Sequence, residues 1–259
     1  MTYIMESNRE GQRIEAKTDK QLLIEQLLWV GLKSNAKVMD LGCAAGTTSR
    51  IIKEILGESG QIVGIDASET RINEARAISD NVEYRVGNAE KLPAQNEEFD
   101  TTWSRFTFEY LKNPLLALQE MARVTKKGGT VAVADIDGYC LWNYPIEAEF
   151  ENEITETILF LGKSGFDPFI GRKLYSLFKQ VGLKDITVDI RPYHQIVGKI
   201  APNIEELWKF KLNTIATNLV KMGFDKGKAT NVVENYLQLL RDENTFTYSI
   251  LITVKGKNE

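Results

Sequence analysis

The chain has 259 residues, of which 43% are hydrophobic and 26% are charged, so its composition is that of a globular protein with a sizeable core. Its formal net charge of −4 argues against a nucleic-acid partner, because proteins that neutralise phosphates carry an excess of lysine and arginine. Two cysteines and one histidine exclude a disulfide framework and a zinc or iron site built on histidines, and we expect no metal.

Short apolar runs alternate with amphipathic segments in the first half of the chain. The predicted strands are 36–41, 61–66, 82–86, 99–104 and 130–136. The predicted helices are 18–32, 47–56, 68–78 and 113–125. Ser68 is expected to cap the third helix, and Asn113-Pro114 to open the fourth. Lys126-Lys127-Gly128-Gly129 is expected to close that helix with a left-handed glycine.

This alternation predicts a doubly wound α/β fold, in which helices cover both faces of a mostly parallel sheet. Such sheets bind ligands at the carboxyl ends of their strands, where the strand order reverses. The first strand is the expected reversal point. A ligand site is therefore predicted in the turn that follows it.

The rest of the chain alternates less regularly. Helices are predicted over 147–161, 172–181, 203–222 and 226–240, and strands over 185–191 and 246–254, with the last strand antiparallel. We expect one domain with a core of about 18–137 and 171–256. Insertions at about 138–170 and 198–226 are predicted to form a helical lid that excludes water.

The predicted turn, Gly42 to Gly46, joins a buried strand ending in Asp40-Leu41 to a helix. Glycines let a ligand approach the backbone closely, and the N–H groups of the following helix point at the turn. A dinucleotide fingerprint would need glycines at 42, 44 and 47, but Ala44 and Thr47 stand at the last two positions. The alternative is an ordinary strand-turn-helix without a ligand.

Asp40, Gly42 and Gly46 resemble the first motif of the class I S-adenosylmethionine-dependent methyltransferases, from which Ala44 departs. The resemblance implies a Rossmann-like fold and S-adenosylmethionine as cofactor. It also implies that Cys43 and Ala44, within the turn, contact that cofactor.

Two segments after the second and third strands extend this resemblance. Asp66 ends the second strand at the spacing expected of an acid that accepts both ribose hydroxyls, with Ala67 beside it. The alternative for Asp66 is a helix N-terminal aspartate. Asn88-Ala89 stands where the family has an acidic residue that accepts from the adenine amine, and the asparagine oxygen can accept that bond too.

The loop after the fourth strand begins at Ser104-Arg105. In the family this loop lies under the methionine part of the cofactor and faces the substrate, so both residues are predicted cofactor contacts. The chain lacks the Asn/Asp-Pro-Pro-aromatic motif of enzymes that methylate base amines. Glu10-Gly11-Gln12-Arg13-Ile14 and a segment over 167–172 resemble a group of small-molecule methyltransferases. A small-molecule acceptor is therefore expected.

Three residues are candidate general bases: His194, Asp137 and Glu109. A lone histidine at a strand end is also often structural, and alignment alone suffices for some in-line displacements. No single residue is identified as catalytic.

The hypothesis is a methyltransferase acting on a small molecule. A non-methylating protein of the same fold, either a cyclase or an interaction subunit, is the first alternative, and a nicotinamide oxidoreductase is the second. No apolar run reaches the ~18 residues of a membrane span and no leader pattern opens the chain, so a cytoplasmic protein is expected.

Overall fold

The computed structural model describes Glu15 and residues 18–259. The strands of this part are β1 (Lys37–Leu41), β2 (Gln61–Asp66), β3 (Glu83–Val86), β4 (Phe99–Arg105), β5 (Thr125–Tyr144), β6 (Lys184–Val197) and β7 (Phe246–Lys257). They form one sheet in the order β3-β2-β1-β4-β5-β7-β6. β1 to β5 pair in parallel, whereas β7 is antiparallel to both β5 and β6. The predicted mostly parallel Rossmann-like sheet with an antiparallel last strand is confirmed.

The helices begin and end close to the predicted positions. In the described residues they are α1 (Lys20–Val30), α2 (Thr47–Leu56), α3 (Glu69–Ile78), α4 (Pro114–Val124), α5 (Ala148–Leu161), α6 (Ile170–Val181), α7 (Pro202–Lys221) and α8 (Lys226–Arg241). The Ser68 side chain accepts from the Arg71 N–H at the start of α3. The Asn113 side chain accepts from the Leu116 N–H at the start of α4, so both predicted N-caps are confirmed.

The predicted glycine cap of α4 is wrong. The helix ends at Val124, and the chain passes directly into β5 at Thr125, whose backbone is extended. Gly128 does have a left-handed backbone, with φ +73°, but it lies inside the first part of β5. The start of β5 is held in the sheet because Thr130 pairs with Lys257 of β7. Pairing with a distant strand therefore overrides the local signal for a glycine cap.

Successive residues of the buried strands face opposite sides of the sheet. Val38 packs in the cluster that also contains side chains of α1, α2 and α3. Its neighbour Met39 packs in a second cluster with side chains of α4 and α6. The helices α1, α2 and α3, which precede β3 in the chain, therefore cover one face of the sheet. The helices α4 and α6, which follow β4, cover the other. Since β1 and β4 are neighbours in the sheet, the strand order reverses between them, at the predicted point.

The helices α5, α7 and α8 form a third apolar cluster, which we call the helical cap. The cap packs on Cys140 near the end of β5 and on Ile196 near the end of β6. Both strand ends belong to the carboxyl edge of the sheet, so the cap stands at the edge where a ligand is expected. Among the described residues, none of the helices is long and apolar enough to cross a membrane.

Candidate active site

The turn between β1 and α2 begins with a buried acid. Asp40 is buried, and its carboxylate accepts a 2.6 Å hydrogen bond from the Ser49 hydroxyl on α2. Burial raises the pKa of Asp40 to about 7. Asp40 therefore ties the end of β1 to the first turns of α2. The sequence gives no signal for Ser49, because its contact with Asp40 depends on how the helix returns over the strand.

Left-handed residues shape the turn itself. Gly42 has φ +79°, Ala44 φ +46° and Gly46 φ +82°. Such a backbone costs an alanine about 1 kcal/mol relative to glycine. Gly46 is the N-cap of α2 and provides no side-chain cap for the first N–H groups of the helix. Those donors are therefore directed at the turn, as a cradle for a small molecule requires.

Asp66 holds this turn from the neighbouring strand. One of its carboxylate oxygens accepts the Ala44 N–H at 2.9 Å, and the other accepts the Ser68 N–H at 2.8 Å. Ala67, which lies between Asp66 and Ser68 in the chain, is exposed. The two bonds fix the orientation of the carboxylate at the carboxyl edge, next to the predicted cradle. The structure thus brings Asp66 and Ala44 together, although they lie 22 residues apart in the chain.

The two glycines of the turn have close protein neighbours. A Cβ on Gly42 would lie 2.0 Å from Thr107 Oγ1, and a Cβ on Gly46 would lie 2.2 Å from Tyr84 Oη. Both glycines are therefore needed for packing as well as for their backbone conformation. Neither Thr107 nor Tyr84 was predicted from the sequence, because Thr107 reaches the turn from the loop after β4 and Tyr84 reaches it from β3. Cys43, also in the turn, is buried, and burial raises the pKa of its thiol.

The segment after β3 forms a compact turn. The Asn88 side-chain oxygen accepts the Glu90 N–H at 2.9 Å, and Ala89 is buried. An amide oxygen has two acceptor positions, so this local bond is compatible with a further donor. Asn88 is exposed at the same edge of the sheet as Asp66.

Two residues at the end of β4 were predicted to contact the cofactor, and their environments differ. The Ser104 hydroxyl donates to the Leu41 carbonyl at 3.0 Å and so joins β4 to β1. Arg105 is buried, with its Nε donating to Gln26 Oε1 at 3.2 Å and its guanidinium 4.4 Å from the Phe106 ring centre. Its Nη2 has no hydrogen-bond partner within the described part of the chain. Burial lowers the pKa of Arg105.

Glu109, one of the candidate bases, lies in a one-turn 3₁₀ helix, Phe108–Tyr110, and is buried. Its N–H donates to the carboxylate of Asp135 on β5 at 3.2 Å. Burial and the nearby charge of Glu109 raise the pKa of Asp135 well above its ordinary value. The two carboxyl groups therefore form a pair that resists losing both protons. Sequence reasoning missed Asp135, which is buried within an apolar strand.

Asp137, the second candidate, is also buried, and Arg172 of α6 binds it in a bidentate ion pair. The Arg172 Nη2 and Nε lie 2.7 and 2.8 Å from its two oxygens. The Arg172 backbone N–H donates to the same carboxylate at 3.1 Å. This geometry joins β5 to the start of α6.

His194, the third candidate, has φ +49° and lies where the pairing of β6 with β7 shifts register. Its ring centre is 4.0 Å from that of Tyr193 and 5.3 Å from that of Trp208 on α7. The three candidate bases thus stand on three elements and have different partners. The segment 10–14, singled out in the sequence, lies outside the described residues.

Comparison with known proteins gives the family. A family model described as a methyltransferase domain matches residues 32–182, which is more than half of the chain. Demethylmenaquinone methyltransferase of Staphylococcus aureus is 32% identical over 105 residues, which cover 39% of this chain and 44% of that protein. The chain spans about half the length of the curated relatives it matches.

Two solved structures share the fold at low sequence identity. Phosphoethanolamine N-methyltransferase 2 of Haemonchus contortus, in complex with phosphomonomethylethanolamine and S-adenosylhomocysteine, is 17% identical with a TM-score of 0.57, over 92% of this chain and 53% of that chain. The cyclase SpnF is 18% identical with a TM-score of 0.57, over 92% of this chain and 81% of that chain. Together, the family match and the sheet with its turn show that this chain belongs to the class I S-adenosylmethionine-dependent methyltransferases.

Proposed function

We propose that this protein binds S-adenosylmethionine at the turn between β1 and α2 and transfers its methyl group to a small-molecule acceptor. The observation that carries the proposal is the position of Asp66. Its carboxylate is fixed by the N–H groups of Ala44 and Ser68, beside the strand β1 at which the strand order reverses. An acid held in this way at the end of the second strand suits the two hydroxyls of a ribose.

The other residues of this edge fit the remaining parts of the cofactor. The left-handed turn presents backbone rather than side chains, and α2 begins without a side-chain cap. Asn88 and Ala89 follow β3, the strand that pairs with that of Asp66, and we assign them to the adenine. Arg105, a buried cation whose Nη2 has no partner among the described residues, suits a carboxylate such as that of the methionine part. When bound, the cofactor supplies an electrophilic methyl group on a sulfonium.

For the methyl transfer, the residues of this chain have to align the acceptor, exclude water and receive a proton where the acceptor has one to lose. Glu109 stays a candidate for holding that proton, and Asp135 joins it as a second carboxyl, since burial and the nearby charge of Glu109 raise the pKa of Asp135. Asp137 is less suited to the role, because Arg172 already donates to both of its carboxylate oxygens. His194 stays a candidate because it lies against Trp208 of the cap, and we assign the acceptor to the space between the cap and the sheet.

Replacing Asp66 tests the cofactor site. We expect Asp66→Ala to weaken S-adenosylhomocysteine binding at least about tenfold, since a hydrogen bond to a charged group is worth roughly 1.5–3 kcal/mol. Isothermal titration calorimetry measures the affinity. Asp225→Ala is the matched control, because Asp225 caps α8 through a bond to the Lys228 N–H and stands away from the turn. Equal affinity in the native protein and Asp66→Ala would contradict the assignment, as would the absence of saturable binding by the native protein.

A non-methylating protein is the second candidate, with two observations in its favour. Ala44 takes the left-handed conformation that glycine prefers, and the cyclase SpnF shares the fold. Transfer of tritium from methyl-labelled S-adenosylmethionine to an extract of the source cells separates the two functions. Labelled product supports the methyltransferase, whereas cofactor binding without transfer to any component supports the alternative. The cytoplasmic location and the small-molecule class of the acceptor stay predictions.

A further inference from the structure

A groove of about 750 Å³ lies at the edge of the sheet opposite the candidate active site. The parallel strands begin at this edge, since the lining includes Ala36, directly before β1, and Asp100, the second residue of β4. Asp66 and the turn after β1 stand at the other ends of the strands, so the groove is separate from the proposed cofactor site. Its volume is within the range of sites that bind small molecules.

The lining of this groove is basic, although the whole chain carries a net charge of −4. Five lysines and two aspartates contribute to it, which gives the lining a formal charge of +3. The lysines come from the loop before β1, the start of β5 and the end of β7, and are Lys33, Lys126, Lys127, Lys255 and Lys257. Folding therefore concentrates positive charge from three distant parts of the chain at one place on an acidic protein.

The two acids of the groove compensate only part of this charge. The Lys126 Nζ lies 2.7 Å from Oδ1 of Asp100, and the other oxygen of Asp100 accepts the backbone N–H of Lys37 at 2.8 Å. Both oxygens of Asp100 are therefore already engaged. The second acid, Asp185, is exposed at the start of β6. The lysines at the end of β7 have partners of a different kind.

Lys255 and Lys257 donate to uncharged groups and face the same side of the sheet, being two residues apart on β7. The Lys257 Nζ donates to the Thr130 hydroxyl at 2.9 Å and to the Gly128 carbonyl at 3.3 Å. The Lys255 Nζ donates to the Trp29 carbonyl at 2.5 Å. Such oxygens accept a hydrogen bond without cancelling the charge of the donor. Burial and the charge of Lys257 lower the pKa of Lys255, and an anion bound between the two ammonium groups would reduce their repulsion.

The kind of cation in the groove indicates the kind of anion that it suits. Every cation of the described lining is a lysine. The planar fork of arginine matches a carboxylate, whereas the lysine ammonium is a point charge that suits the tetrahedral oxygens of a phosphate. Ser34 and Thr187 add hydroxyl groups to the same lining. Because the lysines stand on several sides of the groove, a chain of phosphates can reach more of them than a single small ion can.

We propose that this groove binds a small polyphosphate anion, with the ammonium groups of Lys33, Lys255 and Lys257 around its phosphates. The site is independent of the proposed function, because it shares no residue with the cofactor site. Inorganic polyphosphate and the triphosphate of a nucleotide both have this chemistry. The ligand joins the loop after α1, the start of β5 and the end of β7, so its binding stabilises the folded protein.

Inorganic tripolyphosphate tests the site directly. Titrated by calorimetry into the full chain at about 0.1 M salt, it is expected to bind saturably and at least about tenfold more tightly than citrate, a polyanion built from carboxylates. Adenosine triphosphate, titrated with S-adenosylhomocysteine in excess, distinguishes the sources. Affinity equal to that of tripolyphosphate supports a site for the phosphate chain alone, and tighter binding supports a site for a nucleotide. Absence of saturable tripolyphosphate binding, or citrate binding of equal strength, would overturn the proposal.

Paired lysine substitutions assign the binding to the groove. Lys33 and Lys257 are exposed, and we expect the double variant Lys33→Gln with Lys257→Gln to bind tripolyphosphate about tenfold or more weakly. The matched control is Lys221→Gln with Lys226→Gln, which removes the same charge from exposed positions of the cap. Its affinity is expected to change less than about threefold, because salt screens distant charges. Equal losses in the two double variants would overturn the assignment.

Asp185→Asn tests the groove in the opposite direction. Asp185 lines the groove with φ +48°, a conformation that asparagine also adopts. Removing this negative charge is expected to tighten tripolyphosphate binding at least about twofold, a gain that damage to the fold cannot produce. Circular dichroism shows that each variant is folded. Unchanged or weaker binding in Asp185→Asn would contradict a phosphate site in this groove.

Discussion

At the scale of single residues, Asp40 stabilises the turn through a hydrogen bond, but its carboxyl group is removed from water. It is buried at the end of β1 and accepts a hydrogen bond from Ser49, but this bond does not compensate fully for the loss of water. The pKa of Asp40 therefore rises from 3.8 to about 7. A carboxyl that holds its proton more tightly when folded stabilises the folded state at low pH. That contribution is lost as the pH rises from the unfolded towards the folded pKa.

The pH dependence of stability tests this environment. Asparagine has the same shape, can accept the Ser49 bond and does not ionise. We therefore expect the native protein to lose on the order of a few kcal/mol of unfolding free energy relative to Asp40→Asn between about pH 5 and about pH 8. Urea unfolding of the two ligand-free proteins at both values measures the difference, in which the other titrating groups cancel. Parallel stability curves for the two proteins would contradict the raised pKa.

Residues carried by a local motif could be predicted from the sequence, but their partners could not. Asp40, Gly42 and Gly46 follow one strand at fixed spacing, and Asp66 ends the next. By contrast, Thr107 contacts Gly42 from beyond β4, and Tyr84 contacts Gly46 from β3. Lys211 reads in the sequence as an ordinary helix residue. Its burial depends on Tyr139, 72 residues earlier, and is set by the tertiary structure.

At the scale of elements, the turn between β1 and α2 depends on close packing. Gly31 and Gly46 both have left-handed backbones, with φ +89° and +82°. A Cβ on Gly31 would meet nothing within 4 Å, whereas one on Gly46 would lie 2.2 Å from Tyr84 Oη. The two sites share the conformational cost of an alanine, and only Gly46 adds a clash.

Alanine at these two sites separates backbone strain from packing. We expect Gly31→Ala to cost about 1 kcal/mol of stability and Gly46→Ala about 1–3 kcal/mol more, because Tyr84 has to move. Denaturant unfolding measures both values. Gly46→Ala is also expected to weaken S-adenosylhomocysteine binding, since the shifted turn carries the cofactor site, whereas Gly31→Ala leaves it unchanged. Equal stability losses would show that the contact with Tyr84 has no energetic weight.

The existence of the elements was predictable, but the full length of two strands was not. β5 was predicted to end at 136, and it extends to Tyr144 because Trp142 pairs with Tyr248 of β7. β6 was predicted to end at 191, and it extends to Val197 through pairing with Phe246. Both extensions depend on a strand that comes later in the chain. They also carry Tyr139 and His194 towards the cap.

At the scale of the whole molecule, the apolar core has separate parts. Two clusters lie on the two faces of the sheet, and two further clusters lie among the helices of the cap. Leu174 of α6 is fully buried in the second cluster, and Leu240 of α8 is fully buried in the third. Because few side chains are shared, the cap has the structural basis to open while the sheet stays folded. A cap that opens in this way would let an acceptor enter and a product leave.

Matched leucine substitutions test whether the cap opens independently. Leu240→Ala and Leu174→Ala each remove the same atoms from a fully buried site, at a cost of about 2–5 kcal/mol. We expect Leu240→Ala to speed hydrogen exchange in α7 and α8 while β1 and β4 stay protected. Leu174→Ala removes support from the sheet, so exchange is expected to accelerate in β1 and β4 as well. Mass spectrometry of peptic fragments resolves these segments. Equal acceleration of the strands in Leu240→Ala would show that cap and sheet unfold as one unit, and substrate entry would then require another route.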